Sequence, residues 1–188
     1  PKKEHLYGLL LKYLTARDKK NVYLAIHHRL DALTSGLMIF CKDQKFNKAF
    51  TELFRDQKIE KTYLAKVHLQ AGATLLPEFE VENKLRAVNR GKFKITVADP
   101  KGDMAITKFK LIEQTADSAL LECSPRTGRM HQIRVHLADL KMPVLGDFVY
   151  GGFKKSNAFH LHAWKLKFPH PKTHKIVEYI APIKWGKG

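Results

Sequence analysis

Three short segments of this sequence combine carboxylate, guanidinium, imidazole and phenol side chains. Proteins use these groups as nucleophiles, proton carriers and anion ligands. The segments are residues 28–31, 61–67 and 127–136. Taken singly, the first two have ordinary structural explanations, because an Asp such as Asp31 commonly caps a turn and a Tyr such as Tyr63 commonly packs in a strand. The chemistry therefore depends on whether the fold brings the segments together.

The third segment is the densest in polar groups. Between residues 129 and 136 it holds Arg129, His131, Gln132, Arg134 and His136. A helix N-terminus with flanking arginines binds phosphate or carboxylate readily, because unpaired backbone N–H groups and positive charge face the same anion. This segment therefore predicts an anionic partner.

The histidines lack the spacing of a metal site. His131 and His136 are five residues apart, whereas a helical zinc pair is four apart, and the adjacent His27 and His28 point to opposite sides of a strand. No nucleophile-elbow sequence of a serine hydrolase is present. We therefore expect no metal and no serine–histidine hydrolysis.

Composition favours a polyanionic partner. Lys and Arg number 34 against 18 Asp and Glu, a net charge of +16, and nucleic acid would relieve the resulting self-repulsion. No apolar run reaches the ~20 residues of a membrane span, so we expect no membrane partner. Cys41 and Cys123 lie in apolar stretches and should be buried, reduced thiols. We expect a cytoplasmic protein, or an organellar one if a targeting segment preceded Pro1.

The elements that must position these segments alternate in type. Hydrophobic periodicity predicts helices over residues 4–14 and 46–54 and from about residue 127, with Thr127 as N-cap. Predicted strands cover residues 22–30, 37–41, 61–70, 92–98, 104–112, 118–124, 159–168 and 175–181, within a region that is rich in β-structure from 78 to 124. Residues 1–188 therefore form one α+β domain.

All three predicted helices have a recognisable apolar face, which in the helix at 46–54 comprises Phe46, Ala49, Phe50, Leu53 and Phe54. For the first helix this face comprises Leu6, Leu9, Leu10 and Tyr13. For the third helix it comprises Met130, Ile133, Leu137 and Leu140. Arg134 lies at the edge of the apolar face of the third helix. Its side chain is therefore able to reach a cleft while the helix itself packs on the core.

Taken together, the motifs resemble the RluA-type family of pseudouridine synthases. The resemblance rests on residues 28–31 with 34–37, 61–65, 127–138, 146–151, and 161–163 with 168–171. Their order and spacing agree across residues 4–183. Met130 and Lys141 stand where the family more often has Thr and Gly. The family's opening strand, which ends in an Asn-Lys-Pro-like segment, has no counterpart here, so we expect this N-terminal strand to be missing. No S4-type RNA-binding domain is visible.

The resemblance implies the fold and the catalytic residues. It implies a central, mostly antiparallel mixed sheet flanked by helices, with the active-site cleft on the sheet. Asp31 would be the catalytic carboxylate, Tyr63 would pack on the target base, and Arg134 would pair with Asp31. The reaction breaks the N1–C1′ bond of a uridine and joins C5 to C1′, so no cofactor or metal is implied. Whether the carboxylate attacks the sugar, attacks the base or removes a sugar proton is left open.

The implied partner is ribosomal or transfer RNA, bound by a monomer that flips the uridine out of its stack. Arg29 would fill the vacated position. The other predicted RNA-binding residues are Lys61, Arg129, His131 and Gln132, and the lysines Lys92, Lys94, Lys154 and Lys155 would add phosphate contacts.

Two alternatives remain at this point. An RNA-binding module that has lost catalysis predicts the same basic surface, but it gives no reason to keep Asp31, Tyr63 and Arg134 together. A metal-dependent nuclease predicts an acidic cluster, which the sequence does not contain.

Overall fold

A computed structural model describes residues 5–91, 93–151, 158–183 and 185. In chain order its elements are α1 (Leu6–Asp18), β1 (Ala25–Ile26), β2 (Ser35–Gly36), β3 (Phe40–Cys41), a 3-10 turn (Gln44–Phe46), α2 (Asn47–Arg55), β4 (Glu60–His68), β5 (Glu78–Arg90), β6 (Phe93–Ala98), β7 (Asp103–Gln114), β8 (Ser118–Pro125), α3 (Gln132–Asp139), β9 (Leu161–Pro169) and β10 (Ile176–Ile180).

The long strands form one sheet in the order β10-β9-β4-β8-β7-β5-β6, and every pairing along this path is antiparallel. Strand β2 adds to β9 in the parallel direction, which makes the sheet mixed. Strands β1 and β3 form a separate small antiparallel pair. The predicted α+β class with a mostly antiparallel mixed sheet is therefore confirmed.

The main core lies between the middle of the sheet and α3. Inward side chains of β4, β7 and β8, such as Val67, Phe109 and Leu121, are fully buried and pack with Ile133 and Leu137 of α3. Burying such side chains contributes roughly 1.5–3 kcal/mol each. This core fixes α3 on the sheet and thereby fixes where its polar side chains emerge.

Helix α1 was predicted correctly, but the predicted buried face was wrong. Leu6, Leu9 and Tyr13 are 56%, 46% and 61% exposed, whereas Leu14 is buried. The Tyr7 hydroxyl donates to the Leu24 carbonyl and turns the helix so that the Leu14 side faces the protein. Apolar spacing alone did not distinguish two adjacent faces of a leucine-rich helix.

The predicted start of the third helix was also wrong. Helix α3 begins at Gln132, and Thr127 does not cap it. The Thr127 hydroxyl instead accepts from the Ile106 amide and donates to the Gln132 side chain, so it joins β7 to the helix. Residues 127–131 form a loop whose last residue, His131, is left-handed at φ 55°.

Three strand predictions differ from the structure. The predicted strands 22–30 and 37–41 reduce to the two-residue β1 and β3, because backbone groups between them bond elsewhere, for example Ile39 N–H to the His28 ring. Strand β5 was not predicted as a separate strand, only as part of the region rich in β-structure. Its exposed residues Glu78, Glu80, Glu82 and Lys84 alternate with less exposed residues that include Phe79, Val81 and Leu85. This period-two pattern is typical of a half-buried strand, and the prediction missed it.

The remaining strands and α2 lie where the sequence predicted them, within a few residues. Cys41 and Cys123 are free and buried, as expected. No helix in the described residues is both long and apolar enough to cross a membrane.

Candidate active site

The three polar segments meet in one cleft of about 500 Å³ over strands β4 and β9. All eight site residues predicted from the sequence line it, namely Arg29, Asp31, Lys61, Tyr63, Arg129, His131, Gln132 and Arg134. The cleft is bounded by the 27–34 segment, by α2 and by the loop that leads into α3. Residues that are far apart in the sequence thus share one cavity.

Asp31 is held at the start of a tight turn. Its carbonyl accepts from the Thr34 amide at 2.9 Å, and the chain then adds as β2 to the central strand β9. Gly36 has φ 111°, and a Cβ there would collide with the Ala163 carbonyl. Only glycine permits this close approach, so the position of the carboxylate is tied to β9.

A histidine fixes the same turn from the other side. His162 is buried, and its Nε2 lies 3.1 Å from the Ala181 carbonyl, to which it must donate. Its Nδ1 therefore accepts from the Ser35 hydroxyl at 2.8 Å. This chain of bonds connects the turn after Asp31 to the segment that follows β10.

Arg134 lies between two carboxylates. It is 6% exposed, and its Nε and Nη2 donate to the two oxygens of Asp147 at 2.7 and 2.9 Å. Its Nη1 donates to Asp31 Oδ2 at 3.1 Å. The predicted contact between Arg134 and Asp31 is present, and it leaves Asp31 Oδ1 without an Arg134 bond.

The guanidinium is also packed between aromatic rings. Its carbon lies 4.9 Å from the ring centre of Tyr150 and 5.3 Å from that of Phe159, distances typical of cation–π contacts. Burial opposes the charge, but the ion pairs with Asp147 and Asp31 outweigh it, so the pKa of Arg134 is above its ordinary value. The arginine therefore stays charged beside Asp31, and its contacts with both carboxylates and both rings define its position.

His131 faces the free side of Asp31. Its Nε2 lies 3.8 Å from Asp31 Oδ1, and its Nδ1 lies 2.8 Å from the Tyr150 hydroxyl. That hydroxyl accepts the Thr96 amide at 2.8 Å. Burial lowers the pKa of His131, as do the charges of Arg134 and Arg29, whereas Asp31 and Asp147 raise it; the net change is downward.

Tyr63 enters the cleft from β4 at an irregular point of the sheet. The register between β4 and β9 shifts between Thr62 and Tyr63, and such bulges re-aim side chains next to active sites. Burial, and secondarily the charge of Asp31, raises the pKa of Tyr63 to about 12. The phenol is therefore protonated at neutral pH and close enough to Asp31 to sense its charge.

Lys61 and His28 also line the cleft. Burial lowers the pKa of the Lys61 ammonium. Burial and, secondarily, the charge of Lys61 lower the pKa of His28 to about 4, so this ring is neutral at physiological pH. Its Nε2 accepts from the Ile39 amide at 2.8 Å, and the ring stacks on Phe54, so His28 orders the segment that leads to Asp31.

The remaining predicted RNA-binding residues differ in their surroundings. Arg29 is exposed at the cleft, and Arg129 donates to the Met104 carbonyl while facing Asp103. Gln132 is buried, and its amide bonds to Ile106, Thr107, Thr127 and the Arg129 backbone. This side chain orders the loop before α3, and an RNA contact by Gln132 stays a prediction. Lys94 is exposed on β6, whereas Lys92, Lys154 and Lys155 lie outside the described residues.

Sequence reasoning gave no role to Asp147 and Tyr150. Asp147 is 1% exposed, and its Oδ1 also accepts from the Val149 and Tyr150 amides. The preceding Gly146 is left-handed at φ 79°, where a Cβ would collide with Ala158. Gly146 and Asp147 belong to the motifs that carry the family resemblance, but the burial of Asp147 against Arg134 is visible only in the structure.

The described residues contain no group of three or more His, Cys, Asp or Glu side chains arranged to hold a metal ion. The cleft instead presents a carboxylate oxygen that Arg134 does not bond, a protonated phenol and several cations. This set suits carboxylate chemistry on an anionic substrate.

Comparison with known proteins identifies relatives of this chain. The family model described as RNA pseudouridylate synthase matches residues 2–139. The ribosomal large subunit pseudouridine synthase C of Buchnera aphidicola is 36% identical over 189 residues, which cover 95% of this chain and 59% of that protein. The corresponding synthase D of Zymomonas mobilis is 35% identical, over 84% of this chain and 52% of that protein. The chain thus spans little more than half the length of these relatives.

Solved structures agree on the fold. Human RNA pseudouridylate synthase domain containing 1 superposes with a TM-score of 0.77 at 23% identity, over 93% of this chain and 74% of that chain. Human RNA pseudouridylate synthase domain containing 4 gives a TM-score of 0.72 at 24% identity, over 95% and 77%.

Proposed function

This chain belongs to the RNA pseudouridylate synthase family, and we propose that it isomerises uridine to pseudouridine in RNA with Asp31 as the catalytic carboxylate. One observation carries the proposal. Arg134, which is paired with Asp147, donates to Asp31 Oδ2 at 3.1 Å and makes no bond to Oδ1, and Asp31 lines the cleft. A module that only binds RNA has no use for a carboxylate oriented in this way.

The reaction needs little beyond that oxygen. The N1–C1′ bond breaks and its electron pair leaves with the base; C5 then bonds to C1′, C5 loses its proton and N1 gains one. In the route through the sugar, Asp31 Oδ1 bonds to C1′ and is released when C5 attacks. Attack on the base and removal of a sugar proton use the same oxygen, so the three routes make the same demand on this site.

The uridine enters the cleft by flipping, because the glycosidic bond of a stacked nucleotide is inaccessible. Tyr63 supplies the surface on which the base packs, a contact worth about 1–3 kcal/mol per base. Arg29, exposed at the cleft beside Asp31, fills the position that the base vacates. The volume of about 500 Å³ is within the range of small-ligand pockets.

RNA binding rests on charge. The net charge is +16, and the cleft lining includes Lys61, Arg126 and Arg129 in addition to Arg29. Cations at these positions neutralise phosphates on either side of the flipped nucleotide without reading sequence. His131 and Gln132, the other two residues predicted to bind RNA, line the same cleft.

The substrate that the relatives favour is large-subunit ribosomal RNA, because the named relatives are ribosomal large subunit pseudouridine synthases. Transfer RNA is the second candidate. Work on ribosomal RNA implies that the protein acts in the cytoplasm, or in an organelle if a targeting segment precedes Pro1. We propose that it acts as a monomer, since the cleft is built from one chain.

The test uses ribosomal and transfer RNA transcripts labelled with tritium at uridine C5. Isomerisation releases the label as water, a nuclease shortens the RNA, and a binder does neither. We expect label release from ribosomal RNA by the full-length protein, with or without EDTA. Binding without label release from either RNA would overturn the proposed function.

The matched variant is Asp31→Asn, which keeps the shape of the side chain and removes its charge and nucleophilicity. Turnover should vanish, while the affinity for the transcript should stay within a few-fold of wild type. Multiple turnover by pure Asp31→Asn protein would overturn the role of Asp31.

A further inference from the structure

The two oxygens of Asp31 have different surroundings. Oδ2 accepts from Arg134 Nη1 at 3.1 Å, whereas Oδ1 faces His131 Nε2 at 3.8 Å, just beyond hydrogen-bond length. The oxygen that remains available for chemistry therefore has an imidazole as its neighbour. What this ring presents to Oδ1 depends on which nitrogen carries the proton.

The hydrogen bonds of Tyr150 favour one position for the proton of the His131 ring. The Tyr150 oxygen accepts the Thr96 amide at 2.8 Å, so its own hydrogen is free to point to His131 Nδ1, also at 2.8 Å. The phenol keeps this hydrogen, because burial raises the pKa of Tyr150. When Tyr150 donates this hydrogen, Nδ1 is the acceptor, and the proton of the neutral ring is on Nε2.

The backbone of His131 is strained in order to place the ring there. His131 is the residue before α3, in a left-handed conformation at φ 55°, and its side chain makes no capping bond to the helix. Ser, Thr, Asp, Asn or Gly would suit that position better. A left-handed non-glycine residue in a site is a reason to look for a function of its side chain.

We propose that His131 is a positioning residue for the reaction. Tyr150 fixes the tautomer of the His131 ring, so that the ring is neutral and its Nε2–H faces Asp31 Oδ1. This inference rests on the proposed function. In the routes in which Oδ1 bonds to carbon, the electron pair returns to Oδ1 when that bond breaks, and an N–H aimed at that oxygen stabilises the returning charge. No proton needs to be transferred in this step.

A neutral ring also keeps Oδ1 reactive. A protonated His131 would pair with Oδ1 and compete with substrate for it. The charged groups around the ring are Asp31, Asp147, Arg134 and Arg29, and with burial their combined effect favours the neutral form. Activity should therefore fall when acid protonates His131.

The kinetic test compares Tyr150→Phe and His131→Asn across pH on the tritiated transcript. Asn tolerates the left-handed backbone. We expect each variant to lose about tenfold in kcat at neutral pH, with KM within about twofold, as for one lost charge-assisted hydrogen bond. Tyr150→Phe removes a donor that favours the neutral ring, so the fall of its kcat in acid should begin at higher pH than in wild type. His131→Asn should not show this fall of kcat in acid.

Two controls carry the same changes elsewhere. His174 is also left-handed and exposed, and Tyr179 lies on the exposed edge strand β10. His174→Asn and Tyr179→Phe should keep the wild-type rate and profile. Wild-type kcat and profile in both Tyr150→Phe and His131→Asn would overturn the inference.

A spectroscopic readout tests the arrangement without requiring turnover. In wild-type protein labelled with ¹⁵N-histidine, the His131 Nε2 signal should be that of a protonated nitrogen and the Nδ1 signal that of an acceptor, at pH 7.5. A proton on Nδ1 would overturn the inference and leave the proposed function standing. Absence of label release by wild-type protein would instead reject the proposed function.

Discussion

Arg134 gives two of its three nitrogens to Asp147 and only one to Asp31. Asp147 is the more deeply buried carboxylate, at 1% exposure of its side chain against 17% for Asp31. The bidentate pair therefore anchors the arginine, and the single bond to Asp31 depends on that anchor. Asp147 therefore orients the Asp31 carboxylate indirectly, through Arg134.

Asp147→Asn should damage both stability and catalysis. Removing one partner of a buried ion pair leaves a poorly compensated charge and costs about 3–5 kcal/mol. We expect the free energy of unfolding in urea to fall by an amount of that order, and kcat to fall at least tenfold. A variant with wild-type unfolding and wild-type kcat would show that Asp147 does not anchor Arg134.

Arg134→Lys separates charge from geometry. Lysine keeps the positive charge but lacks the planar fork that spans Asp147 and reaches Asp31. We expect kcat to fall about a hundredfold while RNA affinity changes only a few-fold, measured by label release and by filter binding. Equal losses in affinity and in kcat would indicate a phosphate contact instead.

Tyr63→Phe and Tyr63→Ala distinguish stacking from proton handling. If the ring only stacks, Phe should retain most activity and Ala should lose it. If the hydroxyl also handles the C5 proton, Phe should bind RNA and break the glycosidic bond but release little product. We expect the second outcome. Label release and single-turnover analysis of the RNA measure it. Near-normal product from Tyr63→Phe would restrict the residue to packing.

Stability should fall in mild acid. Burial lowers the pKa of His28 and of His136 to about 4 in each case, so the unfolded chain binds protons that the native chain rejects. This stability is fully present above pH 6.5 and is lost as pH falls towards 4. With both groups titrating, the slope approaches about 2.7 kcal/mol per pH unit. Urea unfolding from pH 7 to 4.5 measures it.

The variant His136→Gln tests how much His136 contributes to the slope of the free energy of unfolding against pH. His136 Nε2 lies 2.9 Å from the Asn83 side-chain oxygen, and the Gln amide can donate to the same oxygen without titrating. The slope should fall by about half. An unchanged slope in His136→Gln would show that His136 does not cause the loss.

RNA affinity should depend steeply on salt. At a net charge of +16, each phosphate contact on single-stranded RNA contributes about −0.7 to the slope of log K against log salt. Titrations from 50 to 200 mM salt measure this slope. A flat line would contradict an electrostatic interface.

The sequence predicted the site better than it predicted the elements around it. All eight predicted residues line the cleft, because the motif resemblance carries pairings, such as that of Asp31 with Arg134, that spacing along the chain cannot supply. The family and the fold class are confirmed, whereas the catalytic and RNA-binding roles stay predictions. Asp147 received no role because its partner is visible only in three dimensions.

The errors in the elements have local causes. Helix α3 starts at Gln132 because Thr127 bonds to Ile106 of β7, a contact that no helix rule includes. The predicted strand at 22–30 was too long because the loop amide of Ile39 bonds to a histidine ring instead of a strand. In each case a side chain replaced the backbone partner that regular structure would have provided.

The union of β2 with β9 has a consequence for biosynthesis. Asp31 takes its place only when Gly36 lies against Ala163 and Ser35 bonds to His162, which in turn bonds to Ala181. A nascent chain that has emerged from the ribosome only through β8 has made Asp31 and Tyr63 but has no strand on which to seat the carboxylate. Since such long-range contacts form late, the Asp31 carboxylate is seated only after the chain has been translated as far as β9, long after Asp31 itself has been made.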